Sequence, residues 1–295
     1  MPYQKFLRHL QFEKRYSSHT LTAYGNDLKQ FFAFIEKTYQ VNSAKEITHF
    51  FVRSWMVSLI ESKIDARSVN RKISTLKSFF KFLLRNKEIV HNPMQKIISP
   101  KISKKLPSFI DEKKMNQLLD GEIFENTFEG IRDKLIINMF YQTGMRVSEL
   151  VEIKESDIDL INLSINVLGK RNKVRMIPIT FEMKKQIQLY SDEKKNSIEQ
   201  IKPDAKFFVR NDGNKINRKV VYDLVKEKLG KVTTGQKRSP HVLRHTFATQ
   251  MLNNGAEINA VKEILGHASL AATQVYTHNT IEKLKNIYKQ AHPKA

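Results

Sequence analysis

Cysteine is absent from this chain of 295 residues. Its absence excludes disulfides, zinc sites with cysteine ligands, iron–sulfur clusters and a thiolate nucleophile. Long apolar runs are also missing: none approaches the roughly 18 residues of a membrane span, and the longest candidate, 50–60, contains Arg53 and Ser54. The first nine residues do not contain the apolar region of a secretory signal. We therefore expect a cytoplasmic protein with no membrane partner.

Several common catalytic motifs are absent as well. No G-x-x-x-x-G-K-[ST] or G-x-S-x-G segment occurs, which excludes a P-loop and the usual hydrolase elbow. His241 and His245 have the spacing of a zinc-binding HExxH helix, but Val242 stands where that motif needs its general base. The sequence also lacks a cluster of Asp and Glu residues that would indicate a two-metal nuclease. We therefore expect no metal and no other cofactor, with side chains supplying any cation that a phosphate needs.

Positive charge is what the chain has in excess. It carries 51 Lys+Arg against 30 Asp+Glu, a net charge of +21 at pH 7. Such an excess indicates a polyanionic partner, and nucleic acid is favoured over an anionic membrane surface. Residues 1–107 hold 20 of the cations and 7 of the acids, so this smaller part alone carries +13.

The length predicts about two domains, each large enough to bury a core. Segment 98–107 contains two prolines, two serines and three lysines, which is typical of an exposed, extended linker. We therefore predict an N-terminal domain over 1–97, a linker over 98–107 and a second domain over 108–295. The alternative is a loop within one domain.

The first domain is predicted to be helical, with helices over about 17–38, 48–62 and 66–86. Ser17 and Ser18 are candidate N-caps of the first helix. In the third helix, apolar residues recur at steps of three and four, which indicates one buried stripe. Its members are Val69, Ile73, Leu76, Phe80 and Leu83.

A basic stripe lies about half a turn away on the same helix, where no acid occurs between Arg67 and Lys87. A solvated helix face usually mixes both signs of charge, so we favour DNA contact over an ordinary solvated face. Serines between the cations allow a phosphate backbone to approach and can donate hydrogen bonds to it. The candidate DNA-binding residues are Arg67, Ser68, Asn70, Arg71, Ser74 and Lys81, together with Lys173 in the second domain.

The second domain is predicted to be α+β, mainly helical. Helical patterns occur near 111–119, 128–142 and 147–153, and again from about 181 onward. Residues 163–167 and 174–179 alternate around the turn 169–173, which predicts a β-hairpin.

The segment that begins at Pro240 is predicted to open a helix, with a buried stripe of Leu243, Phe247, Met251 and Leu252. His241 and Arg244 are three residues apart, so they share a face. An imidazole and a guanidinium at a helix start, where N–H groups are free, suit a phosphate.

The chain resembles the tyrosine recombinases, most closely those of the Xer type, over almost its whole length. The motifs are T-G-M-R-V-S-E-L at 143–150, G-K-R-N-K at 169–173, H-V-L-R-H-T-F-A-T at 241–249, L-G-H at 265–267 and Y-T-H at 276–278. All six catalytic positions of the family are filled in order, and this ordered set is highly specific. They are Arg146, Lys170, His241, Arg244, His267 and Tyr276.

The resemblance implies a mechanism. Tyr276 would attack the scissile phosphodiester to form a 3′-phosphotyrosyl link, and Arg146 and Arg244 would clamp the non-bridging oxygens. Lys170 would protonate the departing 5′-oxygen and His241 would help to move the tyrosine proton. His267 would bond a phosphate oxygen.

Two neighbours of these residues, Glu149 and Arg171, affect the expected roles of Arg146 and Lys170. Glu149, one turn after Arg146, is expected to hold that guanidinium, and simple surface charge is the alternative. The family usually has Gly after the hairpin lysine, where this chain has Arg171. An Arg would be disfavoured if the turn needed positive φ, so Lys173 is the alternative to Lys170.

The resemblance also implies the fold and the partners. A helical N-terminal domain and the catalytic domain would clamp double-stranded DNA at a short inverted repeat. Copies of the chain, or a paralogue, would form a tetrameric synapse, with a docking helix at about 279–290 whose stripe is Ile281, Leu284 and Ile287. Packing of that stripe within its own chain is the alternative.

The implied role is chromosome-dimer resolution in the nucleoid, with an FtsK-type DNA translocase as a further partner. Alternatives are an integrase or transposase of a mobile element with the same chemistry, and a non-catalytic DNA-binding relative. The basic charge alone would also permit a general polyanion-binding protein.

Overall fold

The computed structural model describes residues 3–101, 108–169, 174–199, 206–235, 237–266 and 286–294. The chain divides into two compact units, Met1–Lys105 and Leu106–Ala295. Each unit has a hydrophobic core of its own. Within the described ranges, no helix is both long enough and apolar enough to cross a membrane.

The N-terminal unit is helical, as predicted. The three helices expected from the sequence are present, and Ser17 caps the first of them by accepting from the Thr20 N–H. A short helix before them was not predicted, since it buries only Phe6 and Leu10 along its own length. The helices are α1 (Gln4–Phe12), α2 (Ser18–Tyr39), α3 (His49–Glu61) and α4 (Ala66–Arg85).

Helix α4 supplies the centre of this unit. All five members of its predicted apolar stripe are buried, and they pack beside the aromatic rings of α2 and α3. Phe31 and Trp55 meet edge to face at 5.1 Å between ring centroids, a favoured aromatic geometry. The core therefore orients α4 with its basic stripe away from the apolar contacts.

The second unit has a mixed fold of several helices and a small sheet. Its described helices are α5 (Glu112–Asp120), α6 (Phe128–Thr143), α7 (Val147–Leu150), α8 (Phe181–Ser197), α9 (Arg218–Gly230), α10 (Pro240–Asn253) and α11 (Ile258–Leu265). A 3₁₀ turn spans Glu155–Asp157, and residues 286–291 are also helical.

The sheet contains the predicted hairpin and one further strand. Strands β1 (Ile158–Asp159), β2 (Ser164–Leu168) and β3 (Val174–Pro178) pair antiparallel in the order β1-β2-β3. Strand β1 was not predicted, because two residues are too few to show an alternating pattern. The turn at 170–173, with the question of Arg171, lies outside the described residues.

Helix α10 begins at Pro240, as expected, but its predicted buried stripe was wrong at one position. Leu243, Phe247 and Met251 are buried, whereas Leu252 is 41% exposed. At 100° per residue, Leu252 is nine steps from Leu243 and so lies on the opposite side of the helix.

The end of the chain packs on its own unit. Ile287 lies against the core of this unit, and Tyr288 and Ala291 belong to it. The Tyr288 hydroxyl donates to Gln142 Oε1 at 3.3 Å. Docking of this helix onto another copy stays a prediction, and Ile281 and Leu284 lie outside the described residues.

Candidate active site

Three of the six expected catalytic residues line one pocket. Arg146, His241 and Arg244 border a cavity of about 350 Å³ in the second unit. The fold brings Arg146 from the start of α7 together with two residues from the first turns of α10. Sequence analysis missed two further lining residues on α9, Arg218 and Tyr222. A signal for them was available, since Asn217 precedes two cations at a helix start.

A tight turn between α6 and α7 places Arg146. Gly144 ends α6 with a φ of 58°, a conformation that favours glycine. A Cβ at Gly144 would lie 2.5 Å from Phe247 Cδ1 and 2.7 Å from Leu265 Cδ2. Only glycine therefore allows the turn to pack this closely on α10 and α11.

Glu149 holds Arg146, as expected from the sequence. Its Oε2 accepts the Arg146 backbone N–H at 2.7 Å, and its Oε1 accepts Arg146 Nη1 at 2.7 Å. Burial alone would raise the pKa of Glu149, but hydrogen bonds and charge from Arg175 and Arg146 lower it below its ordinary value. Glu149 is therefore a buried carboxylate in its charged form.

Arg244 is buried and is oriented by backbone carbonyls. Its Nη1 donates to Gly144 O at 2.6 Å and its Nη2 to Leu265 O at 2.7 Å. Burial, followed by the charge of Arg146, lowers the pKa of Arg244 to about 10. The guanidinium therefore keeps its positive charge at neutral pH, close to a second arginine in the same pocket.

His241 differs from the two arginines in that it is exposed at the start of α10. Its ring lies 4.5 Å from the His245 ring, centroid to centroid. Burial, followed by the charges of His245 and Arg244, lowers the pKa of His241 below 6.5. At pH 7 the imidazole is therefore mainly neutral and able to accept a proton.

Arg175 is a further charged residue beside the pocket, and sequence analysis did not single it out. It lies on β3 with 5% of its surface exposed, and both oxygens of Glu149 accept its guanidinium. A signal was present in the sequence: Arg175 alternates with Ile177 on the inward side of a strand. Charged residues are rarely buried without a partner.

Three consecutive carbonyls at the end of α11 accept hydrogen bonds from three different arginines. Ile264 O accepts Arg175 Nε at 2.7 Å, Leu265 O accepts Arg244, and Gly266 O accepts Arg146 Nη2 at 3.3 Å. The last carbonyls of a helix have no partners within the helix and carry partial negative charge. The helix end that immediately precedes His267 is therefore held by the arginines of the site.

The other expected catalytic residues, Lys170, His267 and Tyr276, lie outside the described residues, as does Lys173. Within the part of the chain that the structure describes, no group of three or more His, Asp or Glu side chains is placed to hold a metal ion.

The candidate DNA-binding residues of α4 divide into two groups. Arg67, Ser74 and Lys81 are exposed, and the Ser74 hydroxyl donates to a backbone carbonyl of the same helix. Ser68 is half-buried at the N-terminus of α4, where its N–H is capped by Asp65.

Asn70 and Arg71 make contacts within the N-terminal unit. Asn70 Nδ2 donates to Pro100 O at 2.9 Å. Arg71 pairs with the buried carboxylate of Asp27, which also accepts Lys72 at 3.0 Å. The charge of Arg71 is therefore partly compensated before any DNA arrives.

Two family models together cover most of the chain. The Phage integrase family matches residues 108–283, and the Phage integrase, N-terminal SAM-like domain matches residues 3–87.

Curated relatives match nearly full length. A protein named tyrosine recombinase XerC from Staphylococcus saprophyticus is 38% identical, over 99% of this chain and 97% of its own. Proteins of the same name from Anoxybacillus flavithermus and Chlorobaculum parvum are 36% and 34% identical, over 98% and 99% of this chain and 97% and 94% of their own.

Solved structures share the fold. The XerH recombinase in a post-cleavage complex with a palindromic difH substrate superposes with a TM-score of 0.74 and 22% identity, over 96% of this chain and 82% of its own. The integrase of the Tn1549 transposon, in complex with circular intermediate DNA, has a TM-score of 0.74 and 19% identity, over 96% and 97%.

Proposed function

This chain belongs to the phage integrase family and is a site-specific tyrosine recombinase, and we propose that it cleaves and rejoins DNA through a 3′-phosphotyrosyl intermediate on Tyr276. The observation that carries the proposal is the pocket where Arg146, His241 and Arg244 meet. Arg146 is nearly 100 positions from His241 and Arg244 in the sequence but lines the same pocket in the fold.

The two arginines bind the scissile phosphate. Arg146 and Arg244 present fixed positive charge to the non-bridging oxygens, where negative charge grows in the transition state. Arg244 is already oriented by the carbonyls of Gly144 and Leu265, and Arg146 by Glu149. Little reorganisation is then needed when the phosphate arrives, which is how preorganised charge lowers a barrier.

Proton movements accompany the exchange of phosphate esters. The Tyr276 oxygen attacks phosphorus while its proton passes to His241, whose lowered pKa leaves it neutral at pH 7. The bond from phosphorus to the 5′-oxygen breaks, and Lys170 protonates that oxygen. His267 bonds a phosphate oxygen. The reverse sequence with a partner strand restores a phosphodiester, so the ester conserves the energy of the broken bond.

Within the first unit we assign an N-terminal domain to 1–97, followed by a linker at 98–107, and this domain contributes binding to duplex DNA. The exposed cations Arg67 and Lys81 on α4 contact phosphates, with Ser68, Asn70, Arg71 and Ser74 beside them. Lys173 adds a contact from the proposed catalytic domain, 108–295. Contacts of this kind supply affinity and register rather than sequence recognition.

We assign the biological role to chromosome-dimer resolution in the nucleoid, supported by the full-length similarity to proteins named tyrosine recombinase XerC. The target is an inverted repeat bound by a tetramer of this chain or of this chain and a paralogue, and an FtsK-type translocase activates it. The alternative is integration of a mobile element. A target near the replication terminus supports resolution, and one flanking a mobile element supports integration.

A covalent-trapping experiment tests the chemistry. The target is first selected from a library of random inverted repeats by binding to the Tyr276→Phe variant, which lacks the proposed nucleophile. A nicked duplex of that target is then incubated with each protein. The unmodified chain should form an adduct that resists denaturation, and Tyr276→Phe should bind with the same affinity but form none.

The matched control is Tyr222→Phe, because Tyr222 is another tyrosine of the same pocket. It should keep the adduct. An adduct that survives Tyr276→Phe and disappears with Tyr222→Phe would assign the nucleophile to α9 instead.

A further inference from the structure

Arg175 connects three segments of the second unit through one buried guanidinium. It donates from Nη1 and Nη2 to the two oxygens of Glu149, at 3.0 and 2.8 Å. Its Nε donates to Ile264 O at 2.7 Å. Its own strand, β3, begins at Val174, four positions after Lys170 in the sequence. Strand β3 and the segments that contain Glu149 and Ile264 thus meet at this side chain.

Glu149 is shared equally by two arginines. Oε1 accepts Arg146 Nη1 and Arg175 Nη1, while Oε2 accepts the Arg146 N–H and Arg175 Nη2. With four donors around it, the carboxylate has a single orientation. Without Arg175, two of these four bonds would be lost and the carboxylate could rotate about its remaining partner.

The sharing also determines how much charge the pocket presents. Glu149 with Arg146 alone would be a neutral pair, whereas Glu149 between Arg146 and Arg175 leaves one net positive charge. The trio is largely buried, so the field is weakly screened compared with that of a surface pair. Arg175 therefore makes the charge of Arg146 available to a phosphate.

The third contact of Arg175 fixes the end of α11. Gly266 has a φ of 64°, and a Cβ there would lie 3.1 Å from Arg175 Cδ and Nη1. The Arg175 side chain therefore packs tightly against the same residue whose carbonyl accepts Arg146. One side chain orients Arg146 through Glu149 and also supports the carbonyl that Arg146 bonds.

We propose that Arg175 is a positioning residue for phosphate activation. It acts through Glu149 and the end of α11 to orient Arg146, and its own charge leaves the cluster of Arg146, Glu149 and Arg175 with one net positive charge. The inference rests on the proposed function of this pocket. Arg175 itself does not contact the phosphate, and it is distinct from the six family positions found in the sequence.

Kinetics on the full chain test this role. Arg175→Met should lower the single-turnover rate of adduct formation at saturating DNA about 10- to 100-fold, a loss typical of residues that orient catalytic groups. The dissociation constant for the duplex should stay within about threefold, because the phosphate contacts that give affinity lie elsewhere. Arg175→Lys, which keeps the charge but not the two parallel bonds, should give an intermediate rate.

Arg132→Met is the matched control. Arg132 is another buried arginine of the same unit, and it pairs with Asp133 and Val209 O outside the pocket. This variant reports the loss of stability that accompanies removal of any buried guanidinium. Its adduct rate should stay within about threefold of the unmodified chain, and an equal loss of rate in both variants would overturn the proposal.

A neutral substrate separates charge from general structure. When a methylphosphonate replaces the scissile phosphate, one negative oxygen is lost and the arginine charge matters less. The defect of Arg175→Met should shrink to about threefold on this substrate. An undiminished defect would show that Arg175 only stabilises the fold.

Amide hydrogen exchange gives a measurement that needs no catalysis. The Arg146 N–H is bonded to Glu149, so its exchange in the peptide 144–150 should accelerate in Arg175→Met and not in Arg132→Met. Unchanged exchange would overturn the proposal. If the unmodified chain forms no adduct, the proposed function fails while this measurement still decides the role of Arg175.

Discussion

Single buried side chains determine the electrostatics of this protein. Arg244, Glu149 and Arg175 are charged and buried together, which is unfavourable unless each is paired and hydrogen-bonded. The structure meets that condition with carboxylate and carbonyl acceptors. The arrangement has a chemical use, because fixed charge in a poorly solvated site acts strongly on a phosphate.

His292 is a buried residue with a different consequence, for stability. It is 4% exposed, its ring stacks on Tyr288 at 5.0 Å, and burial lowers its pKa to about 4. An unfolded histidine titrates near pH 6.5. Between pH 6.5 and 4 the unfolded chain therefore binds a proton that the folded chain excludes, and stability falls as pH falls.

This linkage predicts that His292 contributes a loss of up to about 3 kcal/mol in the free energy of unfolding across that range. His292→Phe keeps an aromatic ring but does not titrate, so its stability should depend less on pH. Denaturant unfolding at several pH values from 7 to 4 measures the difference. The control is His91→Gln at an exposed position, and equal pH dependence in all three proteins would contradict the assignment.

At the scale of elements, α4 combines a role in the core with a role at the surface. Helix α4 separates its functions by face, with the apolar stripe buried and Arg67 and Lys81 exposed. The sequence predicted both stripes because helical periodicity is a local property. It did not predict that Asp27, 44 residues away, would pair with Arg71.

The α4 surface gives a prediction for DNA binding. Arg67→Ala and Lys81→Ala should each reduce the slope of log K against log salt by about 1, because each removes one phosphate contact. Arg71→Ala should have a smaller effect, since Asp27 already compensates part of its charge. Fluorescence anisotropy across a salt series measures the slopes.

The control for α4 is Lys37→Ala, which removes an exposed cation from the last turn of α2. An equal change of slope with Lys37→Ala would mean that only the total charge matters.

The C-cap of helix α11 is Gly266, whose φ of 64° is a conformation that glycine adopts without strain. Gly266→Ala should cost about 1 kcal/mol for an alanine at positive φ, and more because the new Cβ approaches Arg175. Gly255→Ala is the matched control, since Gly255 has a φ of 86° with no atom within 4 Å of a Cβ. Gly266→Ala should therefore be the less stable variant and also the slower in adduct formation. Equal stability and equal rates would contradict the contact with Arg175.

For the whole molecule, the net charge of +21 predicts a strong dependence of binding on salt. A recombinase that contacts six or more phosphates should lose about a thousandfold or more in affinity between 50 and 200 mM salt. The rate of adduct formation at saturating DNA should change little, because the pocket charges are held inside the protein. A dissociation constant that is insensitive to salt would show that the excess charge has another purpose.

Local and contiguous features of this protein were determined by the sequence alone. The helices α2, α3 and α4, the hairpin and the ordered motifs around Arg146, His241 and Arg244 follow from periodicity, turn residues and short spacings. Leu252 shows the limit of such reasoning, because an apolar residue at the wrong angle on a helix was expected in the core.

Only the tertiary structure decided how the charges are combined. Glu149 and Arg175 are 26 residues apart, and Arg146 and Gly266 are 120 apart. No local pattern specifies such pairs, since they depend on how α7, β3 and α11 pack. Folding converts separate cations of a basic chain into one preorganised cluster, because burial requires every charge in it to have a partner.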